Sequence, residues 1–136
     1  MSAPEISPEA VAWFEAVVAD PERPVVLFAL EWCEFSWAIR NFFHRRNIPF
    51  RSVDLDSVEM QEGDLGGALR PVLLARTGEP TIPQVFIGGT HVGGCTATFA
   101  AQSDGSLDRL LDRHRVPHGT EVIDTAGLLP KWLHPR

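Results

Sequence analysis

Cys33 and Ser36 stand three apart in EWCEFS, residues 31–36. Two cysteines at that spacing form a redox couple that closes into an intramolecular disulfide. With serine at 36 that closure is unavailable, so either the chemistry needs one sulfur or there is none. A thiolate is the nucleophile of thiol–disulfide exchange. Cys33 follows an apolar run and precedes a helical pattern. A sulfur at a helix start meets open backbone N–H groups and the positive end of the helix dipole, which favour an anion. The competing reading is a buried, inert cysteine. A Cys-x-x-Ser pair also results when a native second cysteine is replaced, and the scaffold would then be that of a dithiol enzyme.

The neighbours of Cys33 carry their own expectations. Glu31 and Glu34 would oppose a thiolate if they pointed at it; facing solvent is the expectation for both. Trp32 and Trp37 are either a partner-contact patch or, for at least one of them, half-buried packing. Cys95 follows Gly93-Gly94. It is expected to be semi-buried and to serve packing, with a redox role as the alternative. His44, His91, His114, His118 and His134 show no metal-ligand spacing and read as surface histidines.

The elements around Cys33 follow from period and punctuation. SPEAVAWFEAVVAD, 7–20, reads as a helix capped by Ser7, with Pro8 at its first position and Val11, Phe14, Val17 and Val18 on one face. PVVLFAL, 24–30, is continuously apolar, as a strand buried on both faces is. Residues 36–47 have a helical period, with Ile39, Phe42 and Phe43 inward and Asn47 as the stop. FRSVDLD, 50–56, alternates like a strand. A strand–helix–strand unit of this spacing makes a right-handed crossover between parallel strands. Residues 57–67 are polar and glycine-bearing and read as a loop. GALRPVLLARTG, 67–78, reads as a helix ending at Gly78, with Pro71 either kinking it or marking its first turn. QVFIGGTHVGG predicts a hairpin about Gly88-Gly89. Two short helices follow, split at Asp104-Gly105.

The resulting order is that of an α/β, thioredoxin-like three-layer sandwich: a four-stranded mixed sheet with flanking helices. Residues 1–116 make that domain. Residues 117–136 are a Pro- and Gly-broken extension, ending in GLLPKWLHPR, that docks on its own domain or on a partner. With 136 residues the chain suffices for one domain. Its formal charge of −6 argues against a nucleic-acid or anionic-membrane partner. No signal peptide and no apolar run near the ~18 residues of a membrane span are present, so the expected location is cytoplasmic. Two cysteines are too few for a disulfide scaffold.

Three segments together resemble the glutaredoxin family, over roughly residues 22–112. VVLFALEWCEFS resembles its first strand and active-site loop, TGEPTIPQVFIGG its threonine–aliphatic–proline loop, and HVGGCTATF its glycine-pair motif. CEFS and EPTIPQ are also similar to the monothiol branch. The resemblance implies a glutathione-dependent thiol-disulfide oxidoreductase reducing protein–glutathione mixed disulfides through Cys33, with Trp32, Glu34, Phe35 and Ser36 in the active-site loop. It implies a cis peptide before Pro83. It also implies glutathione held by Arg70, Thr81, Ile82, Pro83, Gly94, Cys95 and Thr96. Partners would be glutathione and glutathionylated proteins, with the chain a monomer. In some members of the branch a dimer bridges a [2Fe-2S] cluster, which here would use Cys33 and one glutathione from each copy. A third possibility is a degenerate glutathione-binding module without turnover. Leu30 stands where the family commonly has lysine, and Thr96 where it usually has aspartate.

Overall fold

The computed structural model describes residues 6–129. Ten regular elements run along the chain: α1 (Pro8–Val18), β1 (Val25–Ala29), α2 (Glu34–Arg45), β2 (Arg51–Asp54), α3 (Val58–Gln61), α4 (Leu65–Thr77), β3 (Gln84–Ile87), β4 (Thr90–Gly93), α5 (Cys95–Asp104) and α6 (Ser106–Arg113). The strands form one sheet in the order β2-β1-β3-β4. β1 pairs parallel with β2 and antiparallel with β3, and β3 pairs antiparallel with β4. This is the four-stranded mixed sheet of a thioredoxin-like sandwich.

β1 is apolar throughout because helices cover both its faces. Val25, Leu27 and Ala29 enter one core with Ala38, Ile39, Phe42 and Phe43 of α2 and Phe99 of α5. Val26 and Phe28 enter the other, with Phe14 of α1 and Leu69, Val72 and Leu73 of α4. Burying a side chain of this size contributes ~1.5–3 kcal/mol, so β1 is held from both sides and its C-terminal end is a firm origin for the loop that follows.

Local signals terminate the elements as expected. The Ser7 Oγ accepts the Ala10 N–H at 3.3 Å and starts α1. Asn47 adopts φ 53° and ends α2, with Ile48 N–H bonded to Phe43 C=O at 2.9 Å. Gly88 and Gly89 both have positive φ, as a two-residue hairpin turn requires.

The reading of 57–67 as loop is corrected: α3, a 3-10 turn at Glu62–Asp64 and the start of α4 occupy it. The glycines that suggested a loop have other work. Gly63 turns the chain at φ 63°. Gly66 lets α4 approach β2's end so closely that a Cβ there would lie 2.0 Å from the Leu55 carbonyl oxygen. Pro71 consequently sits inside α4 and not in its first turn.

Beyond α6, residues 117–129 return across the domain as a strap. Two buried polar side chains hold it. Arg46, 1% exposed, donates to the Gly119 C=O at 2.6 Å, to Asp108 at 2.8 Å and to Gln102 Oε1 at 3.3 Å. Gln102 in turn donates to the Ile123 C=O and accepts its N–H, both at 3.0 Å. Leu128, in a short 3-10 turn, is buried in the core beside α2. The rest of the extension, residues 130–136 with Trp132 and His134, lies outside the described residues.

Candidate functional site

Cys33 is the N-cap residue of α2, with extended backbone (φ −122°, ψ 127°), and its carbonyl accepts the Trp37 N–H at 2.9 Å. It is partly exposed, whereas Ser36, one turn on, is fully buried. The Ser36 Oγ accepts the Leu30 N–H at 3.2 Å. Position 36 therefore belongs to the joint between β1 and α2. Arg40 donates to the Leu30 C=O at 3.0 Å and also bonds Asp54 of β2. Glu31 N–H donates to Asp56 Oδ1 at 2.8 Å. Both polar groups of Leu30 and the next amide are thus engaged, and the loop carrying the thiol is tied to the sheet. Arg40, Asp54 and Asp56 were missed by sequence reasoning. An arginine and two aspartates at those separations have no local signature.

Glu31, Trp32, Glu34 and Trp37 are exposed. The tryptophan alternatives resolve toward exposure: Trp32 is 92% exposed and Trp37 55%.

A groove of about 470 Å³ is lined by Phe35, Glu79, Thr81, Ile82, Pro83, Gly94, Cys95 and Thr96, and it neighbours the thiol through Cys95, which feels the charge of Cys33. The Ile82–Pro83 peptide is cis. Six of the seven residues expected around glutathione are thereby brought together. Arg70 is not among the lining residues; it is exposed on α4. Gly94 allows β3's approach and α5's start to meet: a Cβ there would lie 3.3 Å from the Pro83 carbonyl oxygen. No side chain caps α5, and Cys95, Thr96 and Ala97 bring its first turn into the groove. Such open amides attract an anion such as a carboxylate.

Gln84 supports the groove from beneath and was also missed. Fully buried, it donates through Nε2 to Glu79 at 2.8 Å and to the Thr81 C=O at 3.0 Å. Its Oε1 is then the acceptor for His91 Nε2 at 2.7 Å. His91 is half-buried, and His118 is bonded into the strap, so the reading of all five histidines as surface residues is corrected. His91 is drawn in by the buried Gln84 and His118 by Asp112 and the Gly119 carbonyl.

Burial pushes the Cys95 thiol up to about 11, with the charge of Cys33 adding to the rise. Cys95 is buried, more enclosed than the semi-buried expectation, and stays protonated at neutral pH while Cys33 is the accessible sulfur. Among the described residues no three His, Cys, Asp or Glu side chains gather as a metal site.

Comparison with known proteins places these features in company. A glutaredoxin family model matches residues 25–92. Monothiol glutaredoxin-S10 of Oryza sativa subsp. japonica is 38% identical over 90 residues, covering 66% of this chain and 52% of its own. The chloroplastic monothiol glutaredoxin-S12 of Arabidopsis thaliana is likewise 38% identical over 90 residues, covering 66% and 48%. The chain thus spans about half the length of these two relatives. A glutaredoxin of Pseudomonas aeruginosa is 33% identical over 88 residues, covering 65% of this chain and 95% of its own. Among solved structures, a buckwheat glutaredoxin–glutathione complex matches with a TM-score of 0.67 at 30% identity, covering 80% of this chain and 96% of that one. No helix among the described residues is long and apolar enough to cross a membrane. Some relatives are named chloroplastic, so kinship does not carry the cytoplasmic expectation.

Proposed function

The chain belongs to the glutaredoxin family, and on that premise we propose that it is a one-cysteine, glutathione-dependent thiol transferase. The observation that carries the reading is the partly exposed Cys33 beside the Ile82–Pro83 and Gly94–Thr96 groove, with Ser36 turned into the core. Glutathione is an extended peptide with a carboxylate at each end. The Ile82 backbone, in neither helix nor strand, suits strand-like pairing with its cysteinyl unit. The first amides of α5 suit the γ-glutamyl carboxylate. The reading assigns no contact to Arg70.

The reaction runs in two exchanges. The Cys33 thiolate attacks the glutathionyl sulfur of a protein–glutathione mixed disulfide. That S–S bond breaks, the target's sulfur leaves as thiolate and takes a proton from solvent, and Cys33 holds the glutathionyl group. A second glutathione, as thiolate, attacks the same glutathionyl sulfur. Glutathione disulfide leaves and the Cys33 thiolate returns. One S–S bond is broken for the one finally formed: the incoming glutathione's sulfur is oxidised from thiol to disulfide, the target's sulfur is reduced from disulfide to thiol, and the glutathionyl sulfur stays at the disulfide level throughout. Ser36 offers no competing intramolecular step, so glutathione is the resolving thiol.

The test is turnover of a glutathionylated peptide by the protein and by Cys33→Ala, with glutathione and a recycling reductase. Activity is expected only with the cysteine; equal rates in both, or none in either, would overturn the reading. A second reading has two copies bridging a [2Fe-2S] cluster. Each chain would contribute Cys33, and glutathione and a second copy would complete the thiolate set. An inactive sample that absorbs in the visible and runs as a dimer after anaerobic reconstitution would favour it. An inactive sample that takes up no cluster would favour the degenerate glutathione-binding module.

A further inference from the structure

Cys33 borders a second groove, on the side of the C-terminal strap. About 550 Å³ in volume, it lies between Trp32 and Trp37 on one side and the strap residues Leu128 and Leu129 on the other, with Glu31 and Glu34 along it. The strap builds a wall of this groove. Arg46 and Gln102 hold its backbone through buried hydrogen bonds, and Leu128 is sunk in the core. A rigid apolar wall facing two exposed indoles, against a nucleophilic sulfur, is the anatomy of a recognition surface.

Resting on the transferase reading above, we infer that this groove docks the polypeptide around the modified cysteine of a glutathionylated target protein. A mixed disulfide has two halves. The groove of Ile82 and Gly94 suits the glutathionyl half. In-line displacement sets the target's sulfur beyond the glutathionyl sulfur, so the target's own cysteine touches neither groove floor. Residues about two to four positions away, at ~3.3 Å each, reach past Cys33 to the other side. There they meet the tryptophans and the strap. The chemistry of the surface defines the partner: a large apolar side chain for the Trp37–Leu129 cleft and a basic one for the exposed carboxylate of Glu31. The net charge of −6 reinforces attraction of a basic segment.

The test compares two glutathionylated peptides of equal length. One carries leucine and arginine at that distance from the cysteine, the other serine and aspartate. Wild type, Trp37→Ala and Leu129→Ser are assayed with both. Trp37 is exposed, so its substitution spares the core; Leu129 packs against the core, and its variant is read by the ratio between the two peptides, which a smaller folded fraction leaves unchanged. Wild type is expected to prefer the apolar, basic peptide about tenfold in kcat/KM, and each variant to reduce that preference to about twofold. Equal use of both peptides by wild type, or a preference that survives both substitutions, would overturn the inference. Absence of turnover with either peptide counts against the transferase reading instead. Docking is then read separately, as calorimetric binding of the unmodified peptides to Cys33→Ser. The same Trp37-dependent preference supports the groove, and its absence there overturns it.

Discussion

Arg46 and Gly119, 73 positions apart, are bonded twice: the Gly119 N–H donates to the Arg46 C=O at 2.6 Å, and the Arg46 guanidinium donates to the Gly119 C=O at 2.6 Å. A buried side chain and its own backbone thus grip one residue of the strap. Arg46→Leu keeps the backbone bond but strips the Gly119 carbonyl, Asp108 and Gln102 of a donor. The Gly119 C=O and Gln102 Oε1 keep the His118 ring and the Ile123 N–H as partners, so the loss is that of the guanidinium's own bonds, and a hydrogen bond to a charged group contributes about 1.5–3 kcal/mol. The expected result is a loss of about 2 kcal/mol in urea unfolding, with protease cleavage appearing within residues 117–129 of the folded protein. Cleavage resistance equal to wild type would show that Leu128 alone secures the strap.

His118 adds a pH dependence to the same contact. Its Nδ1 lies 2.8 Å from the Gly119 C=O and its Nε2 2.7 Å from Asp112 Oδ1. Both partners are acceptors, so the doubly protonated ring satisfies both. The Gly119 bond, then Asp112, raise its pKa above the ordinary 6.5, with Asp108 adding to the rise. A raised folded pKa means stability fully present below pH 6.5 and lost as pH climbs through the raised value. Amide exchange in residues 117–129 should therefore be slower at pH 6 than at pH 8, after correction for intrinsic rates. In His118→Gln that difference should vanish. A difference unchanged in the variant would assign it to another group.

Cys95 and Cys33 should differ sharply in reactivity. At pH 7 a thiol titrating at about 11 is roughly one part in ten thousand thiolate. Iodoacetamide is expected to place one label, on Cys33, in the native chain and two in denaturant. The same shift has a stability consequence. The unfolded thiol ionises near the ordinary 9.0 and the folded one near 11. Stability is therefore unaffected by Cys95 below pH 9 and declines between about 9 and 11. Cys95→Ser should flatten that alkaline decline. Rapid double labelling of native protein would contradict the burial.

The Ser36–Leu30 hydrogen bond makes the serine a structural residue. Ser36→Ala leaves the Leu30 N–H without its partner and should cost about 1 kcal/mol in chemical unfolding. No change in the midpoint would mean that water takes over the amide.

Gly94 lines the first groove and stands close to the Pro83 backbone. A methyl group there would stand 3.3 Å from the Pro83 carbonyl oxygen and intrude on the groove the reading gives to glutathione. Gly94→Ala should lower kcat/KM for glutathione-dependent turnover about tenfold, mainly through KM. A variant with unchanged KM would remove the groove from the reaction.

Much of this protein is written locally. The unbroken apolar run that buries β1 on both faces, the Ser7 cap, the Asn47 stop and the Gly88-Gly89 turn each depend on residues within a few positions of one another. So does the placement of Cys33 at a helix start. Short-range sterics and hydrogen bonding decide such features, so spacing along the chain was enough to read them. The tertiary structure alone decided the rest. Gly66 looked like a loop residue until its carbonyl neighbour, Leu55, was in place. Arg70 lies on the predicted helix yet outside the groove, because its direction depends on how α4 packs. Arg46 and Gln102, 56 positions apart, become buried anchors only when the strap closes over them. The groove beside Cys33 has one wall from residues near 32 and another from residues near 128. Contacts at such separations depend on the packing of the whole chain, and no local period encodes them.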